Sequence, residues 1–156
     1  MGDENQDHLS AALCDVLERQ AFAFAEPAPL DDLGFPGEPP LCATMTFDGP
    51  SRGELGLVVP PEVATEIAAS LLGVDADDDE AVAGAEDALK EVLNVACGQY
   101  LTSAFGVGPV FHLSIPQVVE LEPEQWDGVA SRDGAIGLLL DDRPLLAYVT
   151  VESSVP

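Results

Sequence analysis

The stretch Asp79–Gly106, DEAVAGAEDALKEVLNVACGQYLTSAFG, decides the reading of the chain. It contains no proline, and Val82, Ala85, Leu89, Val92, Leu93, Ala96 and Tyr100 recur at three- and four-residue steps. That is the helical period, and it predicts one helix over Asp79–Phe105 with those side chains on a single buried stripe. Asp87, Glu91, Asn94 and Gly98 follow at i, i+4, i+7 and i+11. At ~100° per residue they fall within roughly 60° of one another, opposite the stripe. The exposed face therefore offers two carboxylates, a carboxamide and a bare piece of backbone. A glycine inside a helix costs about 1 kcal/mol relative to alanine, so close approach by another molecule is one reason to keep Gly98. A solvated face carrying an incidental glycine is the other reading, and the residues alone leave both open.

The flanking segments set the architecture. Ser10 to Phe24 reads as a first helix, with Leu17 and Phe24 as its buried residues and residues 1–9 as a disordered start. Residues 26–40 hold five of the 13 prolines and read as an irregular surface loop. Leu41–Phe47 and Glu54–Val59 form a hairpin around the turn chemistry of Asp48-Gly-Pro-Ser-Arg-Gly53. Pro60-Pro61-Glu62 starts a second helix, whose apolar face is Ala64, Ile67, Ala68, Leu71 and Leu72 and whose stop is Gly73. Val110 to Leu121 is extended and interrupted at Pro116. Pro123 to Gly134 reads as a loop carrying Trp126, a partly buried anchor or a partner contact. Ala135–Leu140 and Leu145–Val151 close the chain as a hairpin. Short links between successive strands imply an α+β domain over 10–152. It is an antiparallel β-sheet with one long and two shorter helices packed on it.

Composition excludes several function classes. The 156 residues suit one domain, and 47% hydrophobic content makes it globular. The net charge of -24, from 29 acidic and 5 basic residues, argues against binding nucleic acid or an anionic membrane surface. An acidic mimic of nucleic acid stays a competing class. The cysteines Cys14, Cys42 and Cys97 are odd in number and lack a CxxC pattern. They read as buried free thiols of a reducing compartment. His8 and His112 lie far apart, so a His/Cys metal site is not expected. Asp75, Asp77, Asp79 and Glu86 match positions of a calcium-binding EF-hand loop, and Val82 suits a fifth. Glu80 stands where that loop needs glycine, and the acidic run reads better as a helix N-terminal cap. The acidic start is not a signal peptide, its sixth residue Gln6 breaks the myristoylation pattern, and no apolar run is long enough to span a bilayer.

The run Asp87-Ala-Leu-Lys-Glu91-Val-Leu-Asn94-Val-Ala-Cys-Gly98 resembles the signature of the CheX/CheC chemotaxis phosphatases. That signature is a Ser or Asp, a Glu four residues on, an Asn three further, and a proline some twenty residues later. Here Pro116 follows Asn94 with 21 residues between. Met45–Pro60 resembles the family's first hairpin and Glu62–Gly73 its short helix before an acidic connector, and the similarity runs from about Ala11 to Val151. A single motif without an internal repeat resembles the one-site CheX type. The resemblance implies a cytoplasmic phosphatase acting on the aspartyl phosphate of a phosphorylated CheY-like response regulator. Asn94 would orient the attacking water and Glu91 would dock on the receiver's lysine, with Asp87 and Gly98 as partner-binding positions. No cofactor would be bound by this chain, because the receiver brings Mg²⁺. The resemblance also implies pairing into a homodimer through sheet edges. A non-catalytic module that binds a receiver or another partner is the alternative.

Overall fold

The computed structural model describes residues 2–153. Its elements in chain order are α1 (Gly2–Ala21), β1 (Ala25–Ala28), β2 (Leu41–Asp48), β3 (Ser51–Val59), α2 (Pro61–Leu72), α3 (Asp79–Ala83), α4 (Ala85–Phe105), β4 (His112–Leu113), β5 (Gln117–Glu120), α5 (Pro123–Ala130), β6 (Ala135–Leu140) and β7 (Arg143–Ser153). The seven strands make one antiparallel sheet in the order β1-β6-β7-β3-β2-β4, and β5 also pairs with β2. The expected α+β class with an antiparallel sheet holds, with five α-helices in place of three.

Strand alternation sorts the core into two layers. Ala43, Met45 and Phe47 of β2, Leu55 and Leu57 of β3, and Leu145 and Ala147 of β7 face α1, α2 and α4. Cys42, Val58, Leu146 and Tyr148 point the other way, onto Trp126 and Val129 of α5. Trp126 is 1% exposed and stacks edge-on against Phe35, 6.2 Å between ring centres. The expected loop at Pro123–Gly134 is thus partly helical. A capping box of Glu122 and Gln125 starts α5, and Pro123 sits in its first turn.

Several expectations are corrected by packing. Helix α1 begins at Gly2, not Ser10, because Leu9 is buried and two early polar side chains have distant anchors. The Asn5 Oδ1 accepts from Tyr100 Oη at 2.9 Å, and Gln6 donates to the Ala135 carbonyl at 2.9 Å. The expected disorder of residues 1–9 is therefore replaced by helix from residue 2 onward, and Met1 lies outside the described residues. At its far end the helix stops at Ala21, so Phe24 is 70% exposed while Leu17 is buried. Residues 25–28, inside the expected loop, pair with β6 as an edge strand.

The long helix is two. Gly84 stands between α3 and α4 with φ -91° and ψ 1°, and Val82 on the short piece is 60% exposed rather than buried. Asp78 caps α3 by accepting from the Glu80 amide at 2.9 Å, which places the acidic run at a helix start as expected. On α2, Gly73 takes the left-handed conformation (φ 72°) and its N–H donates to the Ala69 carbonyl. Leu71 and Leu72 fall outside the buried face, whose members are Val63, Ala64, Ile67, Ala68 and Ala69. Among the described residues no helix is long and apolar enough to cross a membrane.

Candidate functional site

Helix α4 lies against α1, α2 and the sheet and buries Ala85, Ala88, Leu89, Val92, Leu93, Ala96, Cys97, Tyr100 and Leu101. What is left is the face read from the sequence. Asp87, Glu91 and Asn94 are exposed along it, and Gly98 follows one turn on, half-buried. A methyl group at Gly98 would meet nothing within 4 Å, so no neighbour in this chain requires glycine there.

The opposite wall comes from the sheet edge. The register pairs Phe47 with Leu113 and Thr44 with Gln117. Two residues of β2, Met45 and Thr46, therefore face three, Ser114, Ile115 and Pro116. That is a β-bulge, and Pro116 has no N–H to hold the ladder there. Ser114 pins the bulge: its N–H donates to the Thr46 carbonyl at 3.0 Å, and its Oγ accepts from the Thr46 N–H at 2.8 Å. The extra residue turns Ile115 outward, 84% exposed.

Between helix and bulge lies a shallow groove of about 420 Å³ lined by Asp87, Lys90, Glu91, Asn94, Leu113, Ser114, Ile115 and Pro116. The structure thus brings Asp87, Glu91, Asn94 and Pro116 to one place and leaves Gly98 one turn beyond the groove. Lys90, Leu113, Ser114 and Ile115 were not singled out from sequence. Only Pro116 inside an extended run signalled the bulge that presents them. Among the described residues the Glu91 and Asn94 side chains engage no hydrogen bond or ion pair, and the Lys90 ammonium has no ion-pair partner. The other four cations are paired within the chain: Arg19 with Asp15, Arg52 with Asp48, Arg132 with Glu54 and Arg143 with Glu66. A mixed polar face beside an apolar wall suits docking of another macromolecule more than enclosure of a small one. No three His, Cys, Asp or Glu side chains cluster to hold a metal among the described residues.

Sheet order and the helix packed across it are the fold of the CheX-type chemotaxis proteins. The fold is similar to CheX from Desulfovibrio desulfuricans, at 17% identity over 96% of this chain and 99% of that one, with a TM-score of 0.70. It is similar to CheX from Vibrio vulnificus at 16% identity, 96% and 99% coverage and a TM-score of 0.68. A CheX–CheY–BeF3–Mg²⁺ complex from Borrelia burgdorferi is similar at 18% identity, 94% and 96% coverage and a TM-score of 0.67. At such identities these likenesses establish the fold. A search of curated protein sequences finds no match. The chain belongs to the CheX family of chemotaxis phosphatases, whose family model matches residues 41–136, a span that contains both walls of the groove.

Proposed function

We propose that this protein accelerates hydrolysis of the aspartyl phosphate on a CheY-like receiver domain, with Asn94 and Glu91 as the groups that enter the partner's active site. The observation that carries the reading is the exposed pair itself. Glu91 and Asn94 stand on a helix whose other face is buried, make no hydrogen bond or ion pair among the described residues and line a shallow, open groove. The family match and the CheX–CheY complex of a relative support the choice of partner.

The chemistry asks little of covalent catalysis. A water oxygen attacks phosphorus in line, the phosphorus–oxygen bond to the aspartyl group breaks, and the carboxylate leaves with the bonding pair. Inorganic phosphate keeps one proton of the water and the other passes to solvent. Positioning that water and neutralising developing charge is most of the task. A carboxamide suits the first role, since it donates and accepts without adding charge beside a phosphate. Glu91, one turn earlier, can pair with a lysine of the receiver and fix the docking. The receiver, with its Mg²⁺ and lysine, carries the neutralisation. Asp87 and Gly98 are contact positions for the receiver, the first at the rim and the second where backbone approaches closely.

Asn94→Ala is expected to cut the accelerated rate by about 10²–10³-fold, the scale of losing one preorganised group. The fold should be unchanged, because the side chain is exposed and makes no hydrogen bond or ion pair among the described residues. Glu91→Ala should weaken receiver binding and rate together. Decay of a phosphorylated receiver and a thermal melt of each variant check both. Receiver binding without accelerated decay in the wild-type protein would replace this reading with that of a non-catalytic binding module.

A further inference from the structure

A second surface lies toward the other edge of the sheet, where the end of α1, the face of α2 and the end of β6 meet. A cleft of about 360 Å³ opens there, with a floor of Ala21, Val63, Ile67, Ala69 and Leu140. Glu66 and Asp141 line it beside the apolar floor, and Phe22 stands at its edge.

Phe22 is the anomaly. Helix α1 ends in a paired motif in which the Phe22 N–H donates to the Glu18 carbonyl (3.2 Å) and the Ala23 N–H to the Leu17 carbonyl (3.1 Å). Such an ending needs a left-handed residue, usually glycine, directly after the helix. Phe22 occupies that place with φ 52° and is 77% exposed. A large aromatic is thus held in a strained conformation and left in water, with no compensating burial in its own chain. Strain kept without an internal return is found where a side chain is used.

The surrounding charge says by what. Glu66 and Asp141 line the cleft, Glu62 lies near enough to Arg143 to act on its charge, and Asp75, Asp77 and Asp142 adjoin the lining residues Val74, Ala76 and Asp141 in the chain. The nearby cation, Arg143, is already held by both Glu66 oxygens and paired with Asp141. A second copy of this chain, also at -24, and an anionic membrane would both be repelled.

We propose that this cleft is a docking site for a basic amphipathic segment of another protein, an apolar side chain entering the floor under Phe22 while flanking Lys or Arg residues meet the acidic rim. It lies near the β1–β6 edge, whereas the Glu91–Asn94 groove lies at the β2–β4 edge, so the two can be occupied independently.

The test uses the full chain and a fluorescent synthetic peptide of leucine and lysine patterned to the helical period, against a scrambled peptide of the same composition. The patterned peptide is expected to bind more tightly than the scrambled one and to weaken between ~50 and ~300 mM salt. Phe22→Gly is expected to lose binding about tenfold, to melt no lower than wild type, and to leave receiver dephosphorylation unchanged. The double variant Asp141→Asn, Asp142→Asn keeps residues that tolerate positive φ at the turn and should lose affinity and salt dependence together. Equal binding of the scrambled peptide, no binding of the patterned one, wild-type affinity in Phe22→Gly, or a lowered melting temperature in that variant would each overturn the proposal. So would sedimentation showing a dimer that Phe22→Gly dissolves, since a second copy would then be the occupant.

Discussion

A methyl group costs little to add where nothing stands in its way, and Gly98 is such a place. Its substitution separates two accounts of the helix face. Gly98→Ala is expected to raise stability by about 0.5–1 kcal/mol, from helix propensity alone. That corresponds to about 1–4 °C in Tm for a chain of this size, read by thermal melting. If a receiver's backbone packs against the bare turn, the same variant binds it more weakly. Improved stability with undiminished receiver affinity would make the glycine incidental. Two residues away the opposite logic governs Tyr100, whose hydroxyl donates to Asn5 at 2.9 Å and whose ionisation burial pushes up to about 12. That residue is locked into the core, while Glu91 and Asn94 have no bond to lose. The side chains that hold the helix are a different set from those that would act on a partner.

At the scale of elements, the hairpin β2–β3, the helix α2 with its Gly73 stop, and the polar face of α4 were legible from sequence, because each is local and periodic. The departures have non-local causes. Helix α1 starts early because Asn5 and Gln6 find partners 95 and 129 residues away. It ends early on a left-handed Phe22, where no glycine marked the stop. Gly84 interrupts the long helix where Leu72 and the Glu80 carbonyl crowd the position of a Cβ, at 3.4 and 3.1 Å. Helix α5 hid behind loop-like composition, since Asp127 and Gly128 resemble turn chemistry while Trp126 and Val129 carry the buried face. The bulge at Pro116 shows only once β2 is the known neighbour, and with it half of the groove escapes sequence reading. One inter-element tie can be titrated. Arg143 joins the β6–β7 turn to α2 through Glu66, and its hydrogen bonds hold that carboxyl below the usual range, against a smaller opposing push from burial. A carboxyl with a depressed folded pKa contributes stability above its unfolded value, ~4.3, and loses it as pH falls through the folded value. Glu66→Gln should therefore cost about 0.5–1 kcal/mol at neutral pH, the scale of a half-exposed pair. Urea melts should show the gap closing toward ~pH 3.

For the whole molecule, the two-layer core explains why the thiols are a property of the fold. Cys42 lies in the layer under α5 and Cys97 in the layer under α1 and α2, and burial pushes them up to about 11 and about 12. Cys14 is half-buried, against the expectation that all three are inside. In the native protein a thiol reagent should reach Cys14 first, with Cys42 and Cys97 reacting only on unfolding. Mass spectrometry after timed labelling would count them. Early modification of Cys97 would mean that α4 is not held as described. That rigidity is the link between fold and proposed activity: the sheet and two helices clamp one side of α4 so that the other can be offered to a partner. The most direct test is the decay of a phosphorylated CheY-like receiver, with Mg²⁺ present, alone and with this protein or its Asn94→Ala variant. The account expects the wild-type chain to shorten the phosphate's lifetime and the folded variant to leave it near the spontaneous value. Equal acceleration by the two proteins would contradict it, because the water would then be positioned by some other group.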